Sequence, residues 1–580
     1  MLLGTAKGTR KKIHITPEER AGHIHIMGST DEGKSFCLEN MIRQDIRHKN
    51  GLCLIDPHGT LYDKIVKWCV THNYFDYRKI VLLNPSDNEW AFGFNPFSMY
   101  DENENQDISA RVDSIAEAIA TVCGGQDIDS MPQLRQSIKL VIYTAMEKDL
   151  TLYETRYLMN PIKSKIRKYL TKDLKNDAVF EQWEHMNTLG ETKFDDKFGV
   201  STRRIIDFIT APVLKNIFGQ TEKTLNTKAL MDEGGILLVN LNPKGISIGQ
   251  SRLLGKLLVN DFTLATRQRD EGDRPFYLYI DECGRYVSSD TAVILDELRK
   301  RGLHMTLCHH FLDQLRDEAG ERVCKSILTN TKTKMLFGGC TMQDLAEIVP
   351  DIFAGHINWE EPVKSLIKPT VAEQEITTLK SSTTVKSSTH GSSVVMTSGD
   401  SETESDSVSD ATITDKHGNI ISLSASSGSG SASTKNSSVS EIESWSNTQS
   451  EQEGQSETLK NVYKNLPTQV WNKDTQLHKV CEEVRMQLQQ HAVIQIRKRR
   501  PEFVKITTLK TGYANKERVQ EKVEENYKSQ EIAKPTKEVE KIIETRNLKI
   551  EQQAKGILAP VGDSDEEFTS YGRKHKKKTS

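Results

Sequence analysis

No run of apolar residues in this sequence approaches the roughly 20 needed to cross a bilayer, so no membrane span is expected. The opening residues, MLLGTAKGTRKK, carry too few apolar side chains for a signal peptide. Cysteine is scarce: 9 in 580 residues, an odd number, widely separated and without a C-x-x-C pair. That excludes a disulfide scaffold or a zinc ribbon and fits a reducing compartment. An excess of one charge is also missing, since 78 Lys and Arg stand against 81 Asp and Glu, a net charge of −3. A wholly basic protein that coats nucleic acid is thereby excluded, while locally basic surfaces are not. The chain is only 36% hydrophobic and 27% charged, with a mean hydropathy of −0.55. It is too long and too polar for a single globule, so about two to four domains and some unfolded chain are expected. The protein reads as soluble and intracellular.

What is present, between about residues 20 and 370, is a series of short apolar runs. They are Ile24–Met27, Leu52–Ile55, Ile80–Leu83, Ile236–Val239, Phe276–Ile280, Met305–Cys308 and Met335–Phe337. Most show no in/out alternation, as expected of strands covered on both faces, and helical patterns lie between several of them. The expected class is therefore α/β with a mainly parallel sheet. Residues 105–232 differ, with helical spacing (Ile115, Ile119, Val122; Leu134, Ile138, Val141; Ile205, Phe208, Ile209) and no convincing strand. The expected division is 1–104 and 233–378 for two parts of the sheet domain, with 105–232 an all-α insertion. Residues 379–458 are Ser/Thr-rich and expected to be disordered, apart from a marginal hairpin at TITDKHGNIISL. Residues 459–510 form a short returning segment containing the strand Ala492–Ile496, and 511–580 a charged helical tail, broken at Pro535 and ending in RKHKKKTS.

The strongest chemical signal is Gly28-Ser29-Thr30-Asp31-Glu32-Gly33-Lys34-Ser35, a G-x-x-x-x-G-K-[ST] loop set between a strand and a helix. Glycines let backbone N–H groups turn toward phosphate oxygens, and the helix N-terminus adds positive potential. Lys34 is expected to reach the β- and γ-phosphates of ATP, and Ser35 to ligate Mg2+. Asp31 and Glu32 are unusual in such a cradle and are expected to point outward. The strand Phe276–Ile280 delivers Asp281 and Glu282, one placed to orient Mg2+ and the other to polarise the attacking water. By itself an acidic turn after a buried strand is common; with the Gly28–Ser35 loop it becomes a site. His309-His310 follow the Met305–Cys308 strand, and sensing phosphate, holding a metal or a structural role all remain open for them. Arg299-Lys300-Arg301, read alone, is a solvated basic helix end.

Taken together, these motifs resemble the coupling-protein ATPases of conjugative type IV secretion, the TraG/TraD group of the FtsK/HerA-like branch of RecA-like motors. The resemblance is carried by HIHIMGSTDEGKS, by Ile55-Asp56-Pro57-His58-Gly59, Leu83-Asn84-Pro85-Ser86-Asp87 and Gly93-Phe94-Asn95-Pro96. It continues through Gly235–Leu241, Tyr279-Ile280-Asp281-Glu282 and Arg299-Lys300-Arg301-Gly302-Leu303, with the helical insertion where that group carries its all-α domain. It implies a RecA-like P-loop core, a homo-oligomeric, hexameric ring, and DNA in a central channel. It also implies that Lys34 and Ser35 bind phosphate and Mg2+, that Asp281 holds the metal and Glu282 the water, and that Arg299 is a finger given to the next subunit. His310 stands where many members have Gln, and Asp31-Glu32 replace small residues. Members of the group commonly begin with membrane-spanning helices, whereas this sequence begins near the loop-bearing strand. Its expected place is cytoplasmic, or peripheral at the inner membrane through partners, with a relaxase or secretion-channel proteins as candidates. Two other functions compete: a soluble HerA-like DNA-processing or defence ATPase working with a nuclease, and a nucleotide-dependent adaptor with little hydrolysis.

Overall fold

The computed structural model describes residues 1–100, 108–124, 132–221, 224–288, 295–353, 355–356 and 472–556, together with four strands between 367 and 467. It divides into two units, one made of residues 1–359 and 471–580 and the other of 360–470.

In the first unit the strands are β1 (Leu2–Ala6), β2 (Lys12–His14), β3 (Ile24–Met27), β4 (Gly51–Asp56), β5 (Ile80–Leu83), β6 (Trp90–Phe92), β7 (Ile236–Asn240), β8 (Phe276–Ile280), β9 (Leu303–His309) and β10 (Thr333–Phe337). The second unit holds β11 (Ile367–Lys386), β12 (Glu404–Thr414), β13 (Ile420–Ser431) and β14 (Gln449–Pro467). The chain then returns to the first unit with β15 (His491–Ile496), β16 (Glu502–Ile506) and β17 (Ala533–Pro535). One 11-stranded sheet runs in the order β2-β1-β16-β15-β10-β3-β9-β8-β4-β7-β5. From β10 to β5 every pairing is parallel. These seven strands are the apolar runs legible in the sequence, and every residue in them is buried. Burial on both faces is the reason they show no in/out alternation, even where His25, His304, Thr306 and Lys334 stand among the apolar residues.

The four antiparallel strands at the other edge were less legible. β15 is the returning strand expected at Ala492–Ile496, and it pairs with β10. β16 then pairs with β15 and with β1, the latter across some 500 residues of chain. Gly4 explains why Leu2–Ala6 does not read as a strand: a Cβ there would sit 2.1 Å from the Lys505 carbonyl oxygen, so the close approach of β16 requires glycine.

Between β6 and β7 the described residues form helices from Ile108 to Glu233 and no strand. Their core stacks Trp183 on Phe198 at 5.7 Å and Phe194 on Phe198 at 4.8 Å between ring centroids. The Trp183 indole is satisfied by donating to Thr144 Oγ1 at 2.7 Å. The segment expected to be a charged tail is instead packed as far as residue 556. Its strand β17 pairs with β6, and helix Thr536–Ala554 buries Val539, Ile543 and Ile550 and places Arg546 Nε 2.6 Å from Glu154 of the helical insertion. Only three of its apolar residues are buried, while Ile542 and Leu548 are exposed, so the apolar pattern alone does not announce the buried face and tertiary contact selects it. The RKHKKKTS end lies outside the described residues.

In the second unit β11 pairs antiparallel with β14, and β12 with β13. Apart from these paired strands, the Ser/Thr-rich stretch expected to be disordered lies outside the described residues. The expected Lys-His-Gly-Asn turn at 416–419 lies outside the described residues, although its flanks pair.

One buried ion pair ties the loop-bearing part of the sheet together. Arg20 donates to both oxygens of Asp45, at 2.7 and 2.8 Å, and to the Tyr279 hydroxyl at 2.8 Å, with its guanidinium 3.6 Å from the Tyr277 ring centroid. Removing one partner leaves an uncompensated buried charge. Arg20→Ala is therefore expected to destabilise the protein by about 3–5 kcal/mol, read as a lower urea midpoint; an unchanged midpoint would show that Asp45 finds another partner.

Candidate functional site

The Gly28–Ser35 loop leaves the C-terminal end of β3 and enters helix Lys34–Arg47, whose first residue is Lys34. Gly33 lies at φ 111° and caps the helix without a side-chain hydrogen bond, so the first-turn N–H groups are left for an external acceptor. The loop is held from outside. Ser29 N donates to Gly338 O (3.1 Å), Gln489 Nε2 to Asp31 O (2.7 Å) and Gln490 N to Glu32 O (2.9 Å). The returning segment before β15 thus forms part of the loop's support. Thr30, Asp31 and Ser35 are exposed. Asp31 takes φ 63°, and the Glu32 carboxylate lies against Gly338 and Gly339.

Lys34 is buried, and its ammonium donates to Gly28 O (2.7 Å), Ser29 O (2.8 Å) and His310 Nδ1 (2.9 Å). Because Nδ1 of His310 faces an ammonium it must accept, which puts the imidazole proton on Nε2. Nε2 lies 3.4 Å from Glu282 Oε1. Lys34, His310 and Glu282 therefore form a continuous chain across the ends of β3, β9 and β8.

Asp281 ends β8 and is buried; that burial, with Asp56 close by, raises its pKa above the usual range. Glu282 is a non-glycine residue at φ 49°, a strained conformation of a kind that clusters at functional sites. Its Oε1 meets His58 Nε2 at 2.5 Å and its Oε2 meets an Arg285 nitrogen at 2.5 Å. Burial pushes the Glu282 carboxyl up, but His310, His58 and Arg285 outweigh it and hold it well below the usual carboxylate range. The hydrogen bond to Glu282 in turn raises the His58 pKa. Asp56 positions His58: its two oxygens accept from the backbone of His58 (2.9 Å), Leu61 (2.8 Å) and Tyr62 (2.9 Å), fixing the turn before helix Thr60–Thr71. Arg285 also reaches Glu318 at 3.5 Å, and Glu318 meets Arg252 at 3.4 Å.

His58 and Arg285 were not singled out by sequence reasoning. The signals for them are the Asp-Pro-His-Gly turn after β4 and the three-residue spacing from Glu282 to Arg285. The neighbouring histidines have separate surroundings. His309 is buried with its Nε2 2.6 Å from His25 Nε2 and its ring stacked on it, and burial lowers its pKa to about 4. Only His310 reaches the loop. Among the described residues no cluster of three or more His, Cys, Asp or Glu could hold a metal by itself, so a metal ligand set drawn from His309-His310 is absent there. Arg299 is far from this site within its own chain. It lies on helix Leu295–Lys300 before the start of β9, whereas His309 ends that strand six residues after Leu303, roughly 20 Å away.

A mainly parallel sheet, with the loop-bearing β3 and the Asp281-bearing β8 separated by the single strand β9, is a RecA-like P-loop fold. Compared with models of known protein families and with curated proteins, the chain's sequence matches none. Among solved structures it is similar to the bacterial conjugative coupling protein TrwB (deltaN70 form, unbound), at 14% identity, 88% of this chain, 89% of that one and a TM-score of 0.49. A second likeness is to plasmid coupling protein TrwB in complex with ADP and Mg2+, at 16% identity over 61% of this chain and 83% of the other, TM-score 0.42. VirB4 of Thermoanaerobacter pseudethanolicus is similar at 11% identity, covering 60% and 86%, with a TM-score of 0.35. No helix among the described residues is long and apolar enough to cross a membrane.

Proposed function

We propose that this chain is an ATP-hydrolysing motor that moves DNA, working as a homo-oligomeric ring, by resemblance a hexamer, at or near a type IV secretion channel. The observation that carries the ATPase reading is the Lys34–His310–Glu282 chain at the mouth of the Gly28–Ser35 loop. The donor set fits a nucleotide phosphate. Three features support this: uncapped N–H groups at a helix N-terminus, a buried ammonium bonded to two carbonyls and an imidazole, and an exposed hydroxyl at Ser35. Lys34 and the loop backbone would hold the phosphates, and Ser35 and Asp281 the Mg2+. A metal bound there supplies charge neutralisation for the phosphoryl group being transferred. Glu282, ionised by its surroundings, takes the proton of the attacking water. His310, which touches both Lys34 and Glu282, ties the state of the phosphate-binding ammonium to that of the base.

Lys34→Ala is expected to cut ATP hydrolysis by about 10²–10³-fold, the usual cost of losing one group that stabilises developing charge. The fold should survive, because Gly338, Gln489 and Gln490 anchor the loop independently of the ammonium. Steady-state turnover and circular dichroism check the two halves.

DNA translocation, a relaxase or channel partner and a peripheral inner-membrane position belong to the same proposal. The engagement of both Glu282 oxygens favours one alternative, a nucleotide-dependent adaptor in which Glu282 stays held and hydrolysis is slow. Steady-state ATPase of the purified protein with and without DNA separates the two. Stimulation by DNA supports the motor; nucleotide binding with negligible turnover under both conditions supports the adaptor.

A further inference from the structure

The antiparallel edge of the sheet brings together two basic turns from opposite ends of the sequence. The turn from β1 to β2 carries Lys7, Arg10, Lys11 and Lys12, all exposed. The turn from β15 to β16 carries Arg497, Lys498, Arg499 and Arg500, also exposed. Pairing of β1 with β16, in which Ala6 stands opposite Val504, sets the turns side by side. Lys7 N donates to Phe503 O at 2.7 Å, and Lys11 reaches Glu502 at 2.5 Å. Arg499 pairs with Glu19, and Arg497 donates to the Glu18 carbonyl. Eight cationic side chains thus face three carboxylates, Glu18, Glu19 and Glu502. Lys7, Arg10, Lys12, Lys498 and Arg500 have no ion-pair partner among the described residues. Ile496 pairs with Thr333 at the start of β10, which stands beside Ile24 at the start of β3, so the patch lies at the end of the strands opposite the Gly28–Ser35 loop.

We propose that this two-turn patch is a docking surface for the phosphate backbone of nucleic acid. The inference rests on the DNA-motor reading above and gives it a location. Like charges crowded at two rigid hairpin ends repel one another, and a polyanion relieves that repulsion while releasing its counterions. Half of the eight cations are arginines, whose forked guanidinium grips phosphate through two hydrogen bonds. A membrane surface is the weaker fit, because no large apolar side chain is exposed on either turn to enter the headgroup layer.

The test replaces Arg10, Lys12, Lys498 and Arg500 together by Ala and measures binding of a labelled duplex by anisotropy from about 50 to 200 mM salt. Basal ATPase should be unchanged. Duplex affinity at the low-salt end should fall at least about tenfold, and the slope of log affinity against log salt should decrease by about 0.9 for each phosphate that the variant no longer neutralises. Arg10→Lys with Arg500→Lys, which keeps the charge, should retain most of the slope. If the wild-type protein binds the duplex and the quadruple variant binds it with the same affinity and slope, the patch is not the docking surface, although the motor reading stands. A variant that loses sedimentation with phosphatidylserine vesicles but keeps duplex binding overturns the proposal in favour of a membrane. A wild-type protein that hydrolyses ATP yet binds no duplex at any salt overturns the motor reading, and the patch assignment falls with it.

Discussion

Replacing Glu282 by Gln should slow ATP hydrolysis by about 10²–10⁴-fold, the usual contribution of a positioned general base, while nucleotide still binds. The substitution preserves shape and leaves an oxygen to accept from His58, but the amide cannot take a proton from water. It also removes the charge that Arg285 and His310 face within a buried turn. Some loss of local order is therefore expected alongside the loss of turnover, since Glu282 sits at φ 49° and is kept there by those interactions. Two measurements separate chemistry from collapse. Binding of a fluorescent ATP analogue should stay within a few-fold of wild type, and single-turnover hydrolysis should fall by the full factor. Near wild-type hydrolysis would remove Glu282 from the role of base, and loss of analogue binding would instead make it a positioning residue for the loop.

The second large effect concerns arginine. A guanidinium that neutralises the transferring phosphoryl group is worth about 10³–10⁵ in rate where it has been measured. The chain offers two candidates. Arg285 lies beside Glu282 in the same chain, bound to Glu282 and Glu318. Arg299 lies at the far end of β9 and reaches a nucleotide only if that nucleotide belongs to a neighbouring subunit. Head-to-tail interfaces that close into a ring repeat one such arrangement at every junction. Arg299→Ala should then abolish activity, and mixing it with Lys34→Ala subunits should restore part of it, because some interfaces pair an intact loop with an intact Arg299. If mixed rings form yet stay as inactive as their parents, Arg299 does not act across the interface. Arg285→Ala separates the rival: inactivity that no mixing with Lys34→Ala subunits restores, together with complementation failing for Arg299, assigns the charge to Arg285 in cis.

Much of the core is legible in the amino-acid order, because its signals are local. A strand buried on both faces is mostly apolar and lacks in/out alternation, so β3, β4, β5, β7, β8, β9 and β10 announce themselves. A loop that wraps phosphate needs glycine at positions such as Gly33, where φ is 111°, and a lysine next to it, so its spacing is diagnostic. Asp281 and Glu282 follow from the apolar run that ends at Ile280.

What depended on pairing partners far away in the sequence did not show. β1 contains Gly4 because β16, some 500 residues later, approaches it closely, and neither segment predicts the other. The apolar residues of helix Thr536–Ala554 are split between buried and exposed positions and do not by themselves reveal a buried face, yet the pairing of β17 with β6 and the Arg546–Glu154 contact fix its place. At the site itself, residue types fix the chemistry available at Lys34, Asp281 and Glu282, while folding decides which groups hold Glu282. His58 comes from the end of β4, Arg285 from the turn after β8 and His310 from the end of β9, and only the sheet order β3-β9-β8-β4 brings them to one carboxylate. Sequence determines composition and short-range spacing; the long-range register of strands determines which charges meet, and that register is set by the whole sheet.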